Sequence, residues 1–79
     1  MLPIQLEMAL AALGWGTRNL SAASKVSLDT IGRFKRGEAL KEVTISTMRK
    51  TLEEAGIIFI DENGEGPGVR LTKDKFHKS

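Results

Sequence analysis

Seven basic residues fall between positions 25 and 50, namely Lys25, Arg33, Lys35, Arg36, Lys41, Arg49 and Lys50, against three acids, Asp29, Glu38 and Glu42, a local excess of four (seven minus three). From position 51 to 66 the balance inverts to five acids and no base. Guanidinium and ammonium groups gathered in one stretch can neutralise phosphates, and the acidic stretch beyond repels them. This segregation, more than the formal net charge of +2, is the footprint expected of a nucleic-acid binder. Catalysis has no comparable grouping. There is no Ser-His arrangement, no paired-carboxylate site and no metal-ligand cluster, His77 stands alone, and Gly64, Gly66 and Gly68 follow a turn without opening a helix. The expectation is a protein that is not an enzyme and holds no metal and no cofactor.

The elements that must position these charges fit one domain, because 79 residues cannot bury two independent cores. With no cysteine, neither disulfides nor thiolate metal sites are available, which points to a reducing cytoplasm. The apolar start lacks the basic leader of a signal peptide, and no run approaches the roughly 18 residues of a membrane span. The expected localisation is cytoplasmic and nucleoid-associated.

Pro3 can open a first helix in which Leu6, Ala9, Leu10 and Leu13 recur at helical spacing until Gly14 stops it. The opposite side carries Ile4, Met8, Ala11 and Ala12, leaving only Gln5 and Glu7 polar, so this helix should be buried on two sides, the second against the C-terminal segment or a partner subunit. Thr17 can cap a second helix ending at Ser24, with Leu20 and Ala23 turned inward. A tight turn at Lys25 and Val26 then leads to a third start at Ser27. That helix runs to Arg36, with Ile31 and Phe34 facing the core and Gly37 ending it. Thr44 caps a fourth, in which Ile45, Met48, Leu52 and Ala55 keep an apolar stripe closed by Gly56. Ile57, Ile58, Phe59 and Ile60 are too few for a helix and read as a strand, which Val69, Arg70 and Leu71 can pair after turns at 61–64 and 66–68. A lone hairpin is marginal, so this strand needs helix one, a second chain, or both to pack against. Residues 72–79, with three lysines, read as a flexible basic tail.

Residues 17–34 resemble the helix-turn-helix of the Cro and phage-repressor family, the XRE-type bacterial regulators, and the resemblance extends to about residue 55. In that pattern the fourth motif position is apolar, the fifth small, the tenth, fifteenth and eighteenth apolar, and a glycine closes the third helix. Here these are Leu20, Ser21, Val26, Ile31, Phe34 and Gly37. Two helices crossing steeply need a small residue at the contact and apolar residues bridging to the core. The resemblance implies a mainly α fold, a four-helix Cro/repressor-like helix-turn-helix domain over residues 1–56, followed by a short C-terminal β-strand or hairpin over 57–71. Departures carry consequences. Lys25 stands where the family usually has glycine, and a left-handed conformation there costs about 1 to 2 kcal/mol. Thr17 replaces a glutamine that reaches phosphate. Gly32 costs about 0.5 to 1 kcal/mol inside a helix and would allow close approach to DNA. Lys35 and Leu10 stand where many members pair an acid with an arginine, implying that this buried ion pair is absent and that the apolar core alone fixes helix one.

The resemblance further nominates Ser27, Leu28, Asp29, Thr30 and Arg33 as base-contacting residues on a helix lying in the major groove. Arg33 is the leading one, because a guanidinium matches guanine O6 and N7 bidentately, worth about 1 to 3 kcal/mol of discrimination; the alternative is that it is merely solvated or pairs with Asp29 one turn earlier. Phosphate contacts that fix register fall to Thr17, Arg18, Lys25, Lys35, Arg36 and Lys41. One such helix reads few base pairs, so the implied partner is a palindromic double-stranded DNA operator bound by a homodimer, its half-sites about 34 Å apart. Dimerisation is assigned to Ile57, Ile58, Phe59 and Ile60 or to the second face of helix one. The competing expectation is an antiactivator or antitoxin that keeps the fold and captures a regulatory protein partner.

Overall fold

A computed structural model describes residues 1–77 of the chain as α1 (Pro3–Leu13), α2 (Thr17–Ser24), α3 (Leu28–Lys35), α4 (Glu42–Glu54), β1 (Ile57–Ile60), β2 (Gly68–Leu71) and α5 (Lys73–His77). The fold is mainly helical with one antiparallel hairpin, in which Ile57 pairs with Leu71, Ile58 with Arg70, Phe59 with Val69 and Ile60 with Gly68. No helix among the described residues is long and apolar enough to cross a membrane.

The two glycine stops expected for α1 and α3 take the same form. Gly14 at φ 68° and Gly37 at φ 87° turn the chain left-handed, which glycine does without a Cβ clash. Trp15 N–H then donates to Leu10 O at 2.9 Å, and Glu38 N–H to Arg33 O at 3.0 Å. These bonds satisfy carbonyls that the helix leaves open and throw the following side chain back over the last turn.

Leu6, Ala9 and Leu10 of α1, Leu20 of α2, Ile31 and Phe34 of α3, Met48 and Leu52 of α4 and Ile57 of β1 form the core, so every element through β1 contributes to a single apolar cluster. Trp15, Val26, Leu40, Ile45, Phe59, Val69 and Leu71 pack against it while partly exposed.

Several local expectations are corrected. Gly16, not Thr17, occupies the cap position of α2, and its N–H donates to Asn19 Oδ1 at 2.8 Å, because a hydroxyl is not needed where the third residue of the helix reaches back. Ala23 is exposed and Ser24 buried instead, its hydroxyl donating to Leu20 O at 2.7 Å. Helix α4 begins at Glu42, two residues before the expected cap at Thr44, with the N–H groups of Thr44 and Ile45 bonded back to Lys41 O. The packing of Leu40 against the core brings the chain in early, and a carboxylate in the first turn favours the positive helix end. Of the expected tail at 72–79, residues 78 and 79 lie outside the described residues. The part described continues from Thr72, whose N–H donates to Gly56 O at 2.8 Å, into the short helix α5.

Helix α1 is not covered on its second side. The hairpin packs along it, yet Ile4 remains 51% and Met8 36% exposed, with Ala11 and Ala12 also exposed. The junction is made by Gln5, which is only 3% exposed. Its Nε2 donates to Ile60 O at 3.0 Å and to Gly68 O at 3.1 Å, the two carbonyls of the last strand pair, while its Oε1 accepts from Leu2 N–H at 2.9 Å. On the other side of the hairpin the Arg49 guanidinium lies 4.9 Å from the centre of the Phe59 ring and its Nε donates to Glu53 at 3.1 Å, tying α4 to β1. Replacing Gln5 by leucine keeps the bulk but strands both strand carbonyls and the Leu2 N–H. We expect Gln5→Leu to lower the unfolding free energy by about 1 to 3 kcal/mol in urea melts; an unchanged midpoint would mean that the hairpin is held by apolar packing alone.

Candidate nucleic-acid interface

Helices α2 and α3 meet through three residues. Lys25 takes φ 67°, ψ 14°, the one positive-φ residue other than glycine among the described residues. The turn is tied by short side chains, which explains how a residue with a Cβ is held there. Ser21 Oγ donates to Val26 O at 2.7 Å, Val26 N–H donates to Ser24 Oγ at 3.2 Å, and Lys25 N–H donates to Ser21 O at 2.9 Å. The small residue expected at position 21 therefore bonds as well as fits.

Ser27 caps α3 as expected. Its Oγ accepts from Thr30 N–H at 3.1 Å and lies 2.9 Å from Thr30 Oγ1, so both hydroxyls are mutually engaged. Ile31 and Phe34 are buried, and the remaining face stays out. Leu28 is 40% exposed, Asp29 lies exposed in the first turn, where its charge suits the helix end, and Thr30 and Arg33 are half-buried. Thr30 and Arg33 share an open cleft of about 350 Å³ with Ala39, Leu40, Lys41 and Thr44, which brings two nominated base contacts beside one nominated phosphate contact. A Cβ on Gly32 would meet only the Arg36 Nη1 at 3.4 Å, so no packing within the chain demands glycine there.

The remaining nominated cations divide. Arg18 and Lys25 are exposed, without a side-chain partner among the described residues. Lys35 does not stand free: its Nζ lies 3.6 Å from Glu7 Oε1 and donates to Thr17 Oγ1 at 3.3 Å, linking α3 to α1 and α2. The buried ion pair expected to be missing is missing among the described residues, but the apolar core does not fix helix one alone, because this half-exposed pair also joins it to α3. The pair exists one turn before Leu10, with the signs exchanged and half-exposed, so its contribution to stability is small, but it orients both side chains.

Arg33 does not pair with Asp29. Its Nε donates to Glu38 Oε1 at 3.1 Å, while Arg36 reaches Glu38 Oε2 through Nε and Nη2, each at 3.3 Å. Hydrogen bonding from Arg33, reinforced by Arg36, holds the Glu38 carboxyl below its ordinary value of 4.5, so Glu38 is charged at neutral pH. Glu38 is not among the residues expected at the site; the signal for it in the sequence is its position directly after the helix-ending Gly37. Of the four residues assigned to dimerisation, Ile57 is 2% exposed and belongs to the core, Phe59 and Ile60 are half-buried, and Ile58 is 43% exposed. The described residues contain no group of three or more His, Cys, Asp or Glu able to hold a metal ion.

No protein-family model matches the chain, and no curated protein sequence matches it.

Relieving the left-handed strain should stabilise the protein. Lys25→Gly is expected to raise the unfolding free energy by about 1 kcal/mol while removing an exposed cation next to α3. Thermal and urea melts check this, and a destabilised variant would show that the lysine side chain makes a folded-state contact worth more than the strain.

Proposed function

We propose that the chain is a sequence-specific DNA-binding transcriptional regulator, in which α2 and α3 form a helix-turn-helix and α3 enters the major groove. The observation that carries this reading is the turn at Lys25. A left-handed residue, held by Ser21 and Ser24, stands where the resembled family places glycine, and it sets α3 so that Ile31 and Phe34 are buried while Leu28, Asp29 and Arg33 stay accessible. The excess of positive charge between positions 25 and 50 supplies the phosphate attraction.

Within this reading Arg33 reads a guanine edge and Arg18, Lys25 and Lys41 position the helix. Lys35 acts chiefly as the brace between α1 and α3, because Glu7 and Thr17 already occupy its ammonium group. A homodimer supplies the second half-site. Its interface lies on the exposed α1 face or the free edge of β1, and one chain per DNA site in sedimentation would contradict it. A second reading, capture of a protein partner, is favoured by one observation: Leu2, Ile4 and Met8 stand 48%, 51% and 36% exposed on α1 and the residue before it.

The test is binding of the full chain to duplexes selected from a random-sequence pool, at graded salt. Expected is a selected consensus and a steep linear loss of log affinity with log salt, with Arg33→Ala relaxing the preference at one base pair by about 1 to 3 kcal/mol. Enrichment of no sequence, or affinity indifferent to salt, overturns the reading.

A further inference from the structure

We infer that Glu38 is a specificity-determining positioning residue: it orients Arg33 toward a base edge and withdraws Arg36 from the phosphates. This rests on the DNA-binding reading above and assigns a role to a residue that touches no DNA.

The backbone places Glu38 before any side chain acts. Gly37 turns left-handed at φ 87°, Gly37 N–H donates to Phe34 O at 2.9 Å and Glu38 N–H donates to Arg33 O at 3.0 Å. The residue after the turn is thereby pinned beside the last turn of α3, where both arginines begin. Its two carboxylate oxygens are then divided between them, Oε1 to Arg33 and Oε2 to Arg36.

The two contacts differ in what they leave over. Arg33 donates to Glu38 through Nε, and neither Nη1 nor Nη2 hydrogen-bonds a side chain among the described residues. Those are the donors a guanine O6 and N7 can take, and a guanidinium restrained at Nε loses less freedom on taking them. Arg36 is held through both Nε and Nη2, and its charge is offset by the same carboxylate. One acid therefore has opposite effects on the two terms of DNA affinity. Non-specific binding, which comes from phosphate neutralisation, is weakened by the offset of Arg36, and base discrimination, which needs an ordered donor pair, is strengthened through Arg33. The ratio of specific to non-specific binding rises on both counts.

The experiment compares wild type, Glu38→Gln, Arg33→Lys and the double variant on three probes: a duplex selected from a random pool by the wild-type chain, its single-base-pair variants, and an unrelated duplex. Glu38 is about half exposed, so Glu38→Gln removes charge without opening the core. For Glu38→Gln, binding to the unrelated duplex should tighten and its salt slope steepen by about one. Discrimination at the base pair that Arg33→Lys makes least important should fall by about tenfold. In the Arg33→Lys background the same change should still tighten non-specific binding but leave discrimination where it was.

Unchanged discrimination in Glu38→Gln, or an equal loss with and without Arg33, overturns the role of Glu38 while leaving the DNA reading in place. Failure of the unrelated duplex to bind more tightly overturns the withdrawal of Arg36. A wild-type chain that enriches no duplex overturns the DNA reading and this inference with it.

Discussion

Between Ser24 and Leu28 the chain must leave one helix and enter another within a three-residue turn, and it does so without glycine. A Cβ at φ 67° is strained by about 1 to 2 kcal/mol. What offsets the strain is local: the hydroxyls of Ser21 and Ser24 tie both sides of Val26, and Val26 packs against the core. The direction of α3 depends on this turn, and with it which residues of α3 meet the core and which meet solvent. Ser27, fixed at the end of the turn, then caps α3 through Thr30, so the turn and the start of the helix form one hydrogen-bonded unit.

The rest of the fold keeps that unit in place from two sides. Ile31 and Phe34 anchor α3 in a cluster to which α1, α2, α4 and β1 all contribute, and Lys35 extends past the apolar contact to Glu7 and Thr17. The hairpin packs chiefly on α1 and α4; it closes the core through Ile57 and is fastened to α1 by Gln5. A short hairpin that would be marginal alone is thus held by a helix on one side and by Arg49 over Phe59 on the other. The acidic stretch of the chain falls on the end of α4 and the hairpin loop, and the basic stretch on α3, the connector after it and α4.

What the sequence made legible was whatever depends on near neighbours. Helical spacing located α1 to α3, the glycines at 14 and 37 marked their ends, and four β-branched or aromatic residues in a row marked β1. The left-handed residue is legible too, because Lys25 stands where the resembled pattern has a glycine. Side chains whose partners are far along the chain were not. Gln5 looked like one of two polar residues on an apolar helix, since its acceptors lie 55 and 63 positions away. Glu7 gave no sign of meeting Lys35 until α1 and α3 were packed together. Ala23 reads as the inward residue in place of Ser24 because a buried hydroxyl satisfied by the preceding turn is indistinguishable in sequence from a solvated one. On α3 the order of residues places Ile31 and Phe34 inward and Leu28 and Asp29 outward, but the pairing with Asp29 that it offers as one alternative for Arg33 is not the one that forms. The backbone reversal at Gly37 brings Glu38 closer to hand.

The central claim is that α3 and its flanking turns meet duplex DNA while the hairpin does not. The most direct measurement is backbone amide chemical-shift mapping of the full chain as a selected duplex is added at low salt. Helix α3 in the groove predicts that the largest changes fall on α3, on the turn at Lys25 and on the start of α4, with β1 and β2 nearly silent except for any dimer contact along their edge. Changes concentrated on Ile4, Met8 and the hairpin, with α3 unmoved, would contradict it.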